Sequence, residues 1–173
     1  MKIMKFGGTS VGNPVRMNSI IPLITDGEKN IVVLSAMSGT TNNLVEISDL
    51  LYEERTEEAA QKIELLRTKY HKVVDELYKT DQFKYKGLEV VDSHLNDIES
   101  LISLKHSRQY EKIILAKGEL MSTSLFHNLL IENNIDSLLL PALNFMRIDK
   151  DGEPDSYYIS ENFNREISSN PDH

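Results

Sequence analysis

Two spacings of hydrophobic residues alternate along the chain, and they predict an α/β protein. Residues 1–6 and 30–36 are short apolar runs typical of strands, and the second is the continuous kind that is buried on both faces of a parallel sheet. Similar runs at 111–116 and 135–141 predict two more strands. Between the strands, apolar residues recur every three or four positions, which indicates amphipathic helices. We therefore expect an open, mostly parallel sheet sandwiched by helices.

Turn and cap residues divide the helical stretches. Asn13, followed by a proline, is a helix start. Residues 44–104 hold one glycine and no proline, and their two apolar series predict a helical hairpin with its turn at 80–86. Gly118 should begin another helix, and residues 157–169 a last one. The charged residues of the hairpin favour a solvated face, with a partner-binding surface as the alternative.

Composition removes several classes of function. The chain has 173 residues and a net charge of -8, which argues against a protein that coats nucleic acid. It contains no cysteine, so disulfides, zinc–thiolate sites and cysteine nucleophiles are excluded. No apolar run approaches the ~20 residues needed to cross a bilayer, so we expect no membrane partner and a cytoplasmic location. The five histidines form no metal-binding pattern, and no metal ligands are predicted.

The first polar loop follows the opening strand. Gly7 and Gly8 let the backbone approach a ligand closely, and their N–H groups with the hydroxyls of Thr9 and Ser10 make a candidate anion cradle. Lys5 stands at the strand end, where its charge suits a transferring phosphoryl group. A plain strand-to-helix turn with an exposed lysine is an equally good interpretation. The lysine precedes the glycines, so the loop is not a P-loop.

Two further polar segments complete the candidate chemistry. Residues 35–42 follow the second predicted strand and are rich in hydroxyl groups, which suits a compact polar substrate. A capped loop entering a helix, with Thr41 or Asn42 as the cap, explains them as well. Glu119, next to Gly118, is favoured by the helix dipole in a first turn, and it is also suited to a substrate ammonium group.

Together these three segments resemble the aspartate kinases. The resemblance covers nearly the whole chain, and three runs carry it in order. They are Lys-Phe-Gly-Gly-Thr-Ser-Val at 5–11, Val-Leu-Ser-Ala at 33–36 followed by Gly39, Thr41 and Asn42, and Gly-Glu at 118–119 followed by Met-Ser-Thr at 121–123. The resemblance implies the amino-acid-kinase fold. It also implies transfer of the γ-phosphoryl group of ATP to L-aspartate, giving 4-phospho-L-aspartate, the entry step to lysine, threonine and methionine.

The resemblance also implies roles for single residues. Lys5 would stabilise the transferring phosphoryl group, and ATP would bring its own Mg²⁺. Thr41 and Glu119 would bind L-aspartate, with Glu119 on its amino group. The phosphate path would be lined by Lys5, Gly7, Gly8, Thr9 and Ser10.

A fourth segment resembles the family less closely. Residues 146–155 are similar to another aspartate-binding segment, and Asp155 matches a substrate-site aspartate there. The arginine that relatives carry just before it falls on Asp151 here, so Arg147 is a candidate replacement. Ala116 is a second departure, because relatives place a serine at that position.

The resemblance sets expectations for the organisation of the chain. Residues 1–173 should form part of a catalytic domain in which 44–104 is a helical insertion, with the nucleotide-binding half and the regulatory domains absent. We expect this chain alone to show no turnover of aspartate and ATP, and a homodimer would fit the family. The alternatives are another kinase of the same fold, acting on glutamate, carbamate or a nucleoside monophosphate, and a non-catalytic fragment with a helical interaction surface.

Overall fold

The computed structural model describes residues 1–104 and 108–170. Two strands come first, and helices make up most of the remainder. In chain order the elements are β1 (Lys2–Phe6), α1 (Pro14–Ile24), β2 (Asn30–Leu34), α2 (Thr40–Tyr52), α3 (Thr56–Leu77), α4 (Asp81–Ser100), a 3-10 turn (Leu101–Ser103), α5 (Arg108–Glu132), α6 (Ala142–Phe145) and α7 (Ser156–Ser168).

The predicted α/β class is confirmed by a parallel pair of strands joined through a helix. β1 and β2 run parallel, with Lys2 opposite Asn30 and Phe6 opposite Leu34. The connecting helix α1 begins as predicted, because the side chain of Asn13 accepts a hydrogen bond from the backbone N–H of Arg16 at 2.9 Å. Residues 1–34 therefore form a βαβ unit, and both strands end at the same edge of the sheet.

The two faces of this sheet differ in their surroundings. Met4 and Phe6 of β1 pack against the hydrophobic core on one side, and Leu34 of β2 is buried with them. On the other side Ile3 is 72% exposed and Val33 is 44% exposed. The prediction that the second strand is buried on both faces is therefore wrong within the described residues, where helices cover only one face.

The core lies mainly among four helices. α2 packs on α3 and α5, α3 packs on α4, and α4 packs on α5. Apolar side chains at helical spacing fill the space between them, as the spacing of the hydrophobic residues predicts. The largest fully buried ones include Leu44, Ile47, Ile63, Leu66, Tyr70, Leu95, Ile98, Ile114 and Met121.

The predicted helical hairpin corresponds to α3 and α4, but its turn is shorter than expected. α4 already begins at Asp81, so the prediction of a turn over 80–86 is wrong. The Glu132 carboxylate at the end of α5 accepts hydrogen bonds from the backbone N–H groups of Lys79 and Thr80, at 2.9 and 2.8 Å. Glu132 of α5 therefore satisfies N–H groups before α4 that a local capping side chain would otherwise bond. Gly87 lies inside α4 because the ring of Tyr78 packs where its side chain would be.

Two predicted strands are absent from the described chain. Residues 111–116 belong to α5, where the buried residues Ile114, Met121 and Leu125 follow a helical spacing. A short apolar run does not distinguish a strand from a buried helix by itself, which explains the error. Residues 135–141 contain no regular strand, and no strand lies beside them in the described sheet.

The last described segment, residues 141–170, folds back on itself. Phe145 of α6 and Phe163 of α7 meet edge to face, with ring centroids 5.3 Å apart. A short antiparallel bridge joins Ile148 to Pro154 before α7 begins. Every hydrogen bond described for this segment has both partners inside it. The predicted final helix is confirmed, and it lies apart from the buried core, whose described members end at Leu130.

Candidate active site

The three polar segments meet around one small residue, Ala36. A Cβ atom built on Gly8 would lie 2.8 Å from the Ala36 carbonyl oxygen, and one built on Gly118 would lie 2.8 Å from the Ala36 Cβ. Both distances are too short for a real side chain, so both positions need glycine. Ala36 follows β2, Gly8 follows β1, and Gly118 belongs to α5. The structure therefore joins the first, second and third motifs at one corner of the molecule.

The first loop is a compact turn that uses part of its own hydrogen-bonding capacity. The N–H groups of Ser10 and Val11 both donate to the Gly7 carbonyl, at 2.8 and 3.3 Å. The amides left for an anion are therefore those of Gly7, Gly8 and Thr9 rather than those of the whole loop. A Cβ atom on Gly7 would meet nothing within 4 Å, so a ligand has room to approach the backbone there. Thr9 and Ser10 are exposed beside it.

Lys5 occupies the open face of the sheet at its carboxyl edge. It pairs with Val33 in the parallel register, two residues before the glycines. Its side chain is exposed, and its Nζ atom has no ion pair or hydrogen bond within the described residues. An unpaired ammonium group beside free backbone amides is suited to neutralising a phosphoryl group.

The second loop ends in a tight turn into α2. Gly39 has a φ of 78°, a left-handed conformation that glycine adopts without strain, and it precedes the first helical residue, Thr40. Neither Thr41 nor Asn42 is the cap, so that interpretation of the loop is wrong. Thr41 lies instead in the first turn of α2 with an exposed side chain. Thr40, the residue before it, is completely buried.

Glu119 lies on a helix, but not where the sequence placed it. α5 begins at Arg108, so Gly118 and Glu119 are in its interior and the first-turn dipole argument does not apply. The carboxylate is exposed, and its negative charge is close enough to act on Tyr70. The pKa of Tyr70 is raised to about 12, mainly by burial; the hydrogen bond with Thr40 lowers it, and the negative charge of Glu119 adds a smaller rise. Glu119 therefore lies within electrostatic range of the Tyr70 hydroxyl, which bonds Thr40.

Asp155 and Arg147 are not brought to this corner by any described contact. The Asp155 carboxylate accepts from the Tyr158 backbone N–H at 3.0 Å and from Arg147 Nε at 3.1 Å. The Arg147 guanidinium also lies over the Tyr158 ring, 4.3 Å from its centroid. The Tyr158 N–H and then Arg147 lower the pKa of Asp155. In this structure Asp155 starts α7 and pairs with Arg147, which is a sufficient structural role for both.

Four residues make bonds that support the corner, and three of them lie outside the motifs singled out from the sequence. Tyr70 bonds Thr40, and Lys69 donates to the Ser38 carbonyl at 3.2 Å. The buried hydroxyl of Ser122 donates to the Ser35 carbonyl at 2.8 Å, which ties α5 to the end of β2. Arg16 donates to the Thr9 carbonyl at 2.7 Å. Ser122 belongs to the third motif, whereas Tyr70, Lys69 and Arg16 carry no motif and are marked only by their positions in three dimensions.

The described residues form neither a metal-binding cluster nor a membrane-spanning helix. No group of three or more histidine, aspartate or glutamate side chains there is placed to hold a metal ion. No described helix combines the length and the apolar character needed to cross a membrane. His71 pairs with Asp92 at 2.8 Å and His127 with Ser137 at 2.9 Å, while His106 and His173 lie outside the described residues.

The family follows from a match over nearly all of the chain. The model of the amino acid kinase family matches residues 1–170. The chain belongs to the amino acid kinase family.

Known relatives narrow the resemblance to aspartokinases. The lysine-sensitive aspartokinase 3 of Escherichia coli strain K12 is 28% identical over 163 residues, which are 92% of this chain and 35% of that protein. The crystal structure of E. coli aspartokinase III with lysine and aspartate superimposes with a TM-score of 0.79 at 25% identity, over 98% of this chain and 38% of that one. The same enzyme with aspartate and ADP gives a TM-score of 0.78 at 26% identity, over 96% and 37%. The chain thus spans little more than a third of these relatives.

Proposed function

We propose that this chain supplies the aspartate side of an aspartokinase active site. The observation that carries the proposal is the contact of Gly8, Ala36 and Gly118, because it gathers the lysine loop, the Thr41 turn and Glu119 at one corner. The aspartokinase relatives support the choice of substrate, since the E. coli enzyme has been solved with aspartate bound. In this proposal residues 1–170 contribute to a catalytic domain, and residues 44–104 are its helical insertion.

The proposed reaction transfers the γ-phosphoryl group of ATP to the side-chain carboxylate of L-aspartate. Glu119 holds the substrate ammonium group, since its carboxylate is exposed and has no competing cation within the described residues. Thr41 offers a hydroxyl to a substrate carboxylate in the first turn of α2, where the helix dipole favours negative charge. The substrate carboxylate attacks phosphorus directly, so no residue of the chain forms a covalent intermediate.

The lysine loop fits the phosphate groups of a nucleotide. When bound, ATP with its Mg²⁺ supplies the phosphoryl group and neutralises part of the phosphate charge. Lys5 places its free ammonium group at the edge of the sheet, while Gly7 and Gly8 present backbone N–H groups without side chains in the way. Thr9 and Ser10 add exposed hydroxyls beside them. The ADP bound in the E. coli enzyme supports ATP as the donor.

Calorimetric titration with L-aspartate tests the substrate assignment. We expect saturable binding to the chain, and we expect Glu119→Gln to weaken it by at least about tenfold because a charge-assisted hydrogen bond is lost. Glu89→Gln is the matched control, since Glu89 is exposed on α4 and makes no described contact with the corner. Equal binding by both variants would remove Glu119 from the site. L-Glutamate, titrated in parallel, tests the alternative amino-acid substrate.

Turnover is a separate question from binding. The expectation that the chain alone releases no ADP from ATP and aspartate stays a prediction. A coupled ADP-release assay measures it directly, and signal above that of a Lys5→Met variant would contradict it. In an active form of the enzyme, Lys5→Met should remove most of the rate, whereas a purely helical interaction module would be indifferent to that change.

A further inference from the structure

The helical insertion contacts the corner around Ala36 through two neighbouring residues of α3. Tyr70 is completely buried, and its hydroxyl lies 2.8 Å from the Thr40 hydroxyl, which is buried as well. Lys69, the preceding residue, donates from its Nζ atom to the Ser38 carbonyl at 3.2 Å. Both bonds are made to the turn at residues 37–40: Tyr70 bonds it from the buried side, and Lys69 bonds it from the exposed side. Thr41 follows this turn directly.

The turn has few bonds of its own, and one of them is a side-chain bond from Asn43 Nδ2 to the Gly39 carbonyl at 2.6 Å. Among the described residues, its backbone bonds run from the Thr40 N–H to the Met37 carbonyl at 2.9 Å and from the Asn43 N–H to the Gly39 carbonyl at 3.3 Å. Gly39 holds a left-handed conformation between them, at a φ of 78°. A glycine at this position gives the unfolded turn many alternatives, so an outside contact contributes much to its order.

We propose that Tyr70 is a positioning residue for the aspartate site, acting through Thr40. The inference rests on the proposed function and adds a residue that touches no substrate. The hydroxyl pair fixes the rotamer of Thr40, whose methyl group lies 3.3 Å from the Cβ position of Gly118. Fixing Thr40 sets the first turn of α2 against α5, and this sets Thr41 relative to Glu119. The insertion is then part of the site rather than a separate interaction module.

Tyr70→Phe tests this role with little change in shape. It keeps the buried ring and removes one hydroxyl, so the loss of aspartate affinity should be about fivefold, as expected for one buried hydrogen bond. Tyr78→Phe is the matched control, since Tyr78 is also buried and its hydroxyl donates to the Leu125 carbonyl at 2.7 Å, away from the corner. Both variants lose a buried hydroxyl, and only the first should lose affinity. Equal affinity losses in the two would overturn the proposal.

If Tyr70→Phe folds poorly, a substitution of Thr40, the partner of Tyr70 in the hydroxyl pair, provides the same test. Thr40→Val removes the same hydroxyl pair while keeping the shape, so it should weaken aspartate binding by a similar factor. Combined with Tyr70→Phe it should add little, because the two changes remove one interaction. Thr40→Ser retains the hydroxyl and should bind within about twofold of the unchanged chain. Fully additive losses would contradict the proposed pair.

Amide hydrogen exchange separates this inference from the substrate assignment. Tyr70→Phe should speed exchange several-fold without ligand at Thr40 and Asn43, whose N–H groups hold the hydrogen bonds of the turn, and Tyr78→Phe should leave these amides unchanged. If the chain binds no aspartate, the proposed function fails, and the exchange result still decides whether Tyr70 orders the turn. Unchanged exchange in Tyr70→Phe, or the same change in both variants, would overturn the positioning role.

Discussion

Two regions of the chain carry residues that resemble aspartate-binding positions, and they are built differently. At the corner around Ala36, segments distant in sequence touch through glycines that cannot be replaced without a clash. In residues 141–170, the hydrogen bonds of Arg147 and Asp155 with other described residues all stay within that segment. The corner therefore depends on the whole fold, whereas the second region is a local structure. A resemblance in sequence identifies a site with more certainty where packing gathers its residues than where local bonds already account for them.

The largest expected effect is a difference in the free energy of unfolding between alanine variants of two neighbouring glycines. One glycine is required for packing, and the other only leaves room for a ligand to approach. Gly8→Ala should lower the free energy of unfolding by about 1–3 kcal/mol, because its new methyl group meets a backbone oxygen that cannot turn away. Gly7→Ala is the matched control, with nothing within 4 Å of its Cβ position, and should stay within about 0.5 kcal/mol. Urea unfolding of both variants measures the difference. Equal destabilisation would break the contrast between the two glycines.

A smaller and local effect is expected in residues 141–170. Asp155→Ala removes the acceptor that starts α7, so exchange of the first amides of α7 should rise while the unfolding midpoint of the helical core stays unchanged. Asp155→Asn keeps an acceptor and should retain most of the protection. Aspartate affinity should stay within about twofold in both, because a change of one local bond leaves the corner intact. A tenfold loss of affinity would place Asp155 in the site after all.

The smallest expected effect is the pH dependence of the stability that Asp155 gives to the N-terminus of α7. The pKa of Asp155 is lowered below its ordinary value of 3.8, first by the Tyr158 backbone N–H and then by Arg147. Its contribution to stability is therefore complete above that value and is lost as the pH falls through the lowered pKa. Carboxyl chemical shifts should show the lowered pKa, and Arg147→Gln should raise it only partly because the N–H bond remains. A full return to the ordinary value would assign the effect to Arg147 alone.

The sequence predicted the elements with strong local signals. The cap at Asn13, the two parallel strands and the final helix all follow from spacing and turn chemistry, and all are present. The three motif segments also meet at Ala36, while the binding roles of Lys5, Thr41 and Glu119 stay predictions. Their grouping followed from resemblance, since local spacing alone left each of them open to a structural explanation.

Long-range packing decided what the sequence did not show. Residues 111–116 are apolar enough for a strand, yet they extend α5 because Ile114 completes its buried face. The turn after α3 is short because Glu132, more than fifty residues away, serves its N–H groups. Tyr70 gains its contact with Thr40 only when α3 packs against α2. Each case depends on a partner that no local pattern reveals.

Amide chemical-shift mapping with L-aspartate tests the central claim most directly. The chain should be titrated to saturation while the backbone amides of both regions are followed together. The account predicts that the largest shifts lie at residues 36–42 and at Gly118 and Glu119, with little change at Arg147 and Asp155. The account would be contradicted if the shift changes were centred on residues 147–155 while the amides of the corner stayed unchanged. It would also be contradicted if no amide showed a saturable shift change.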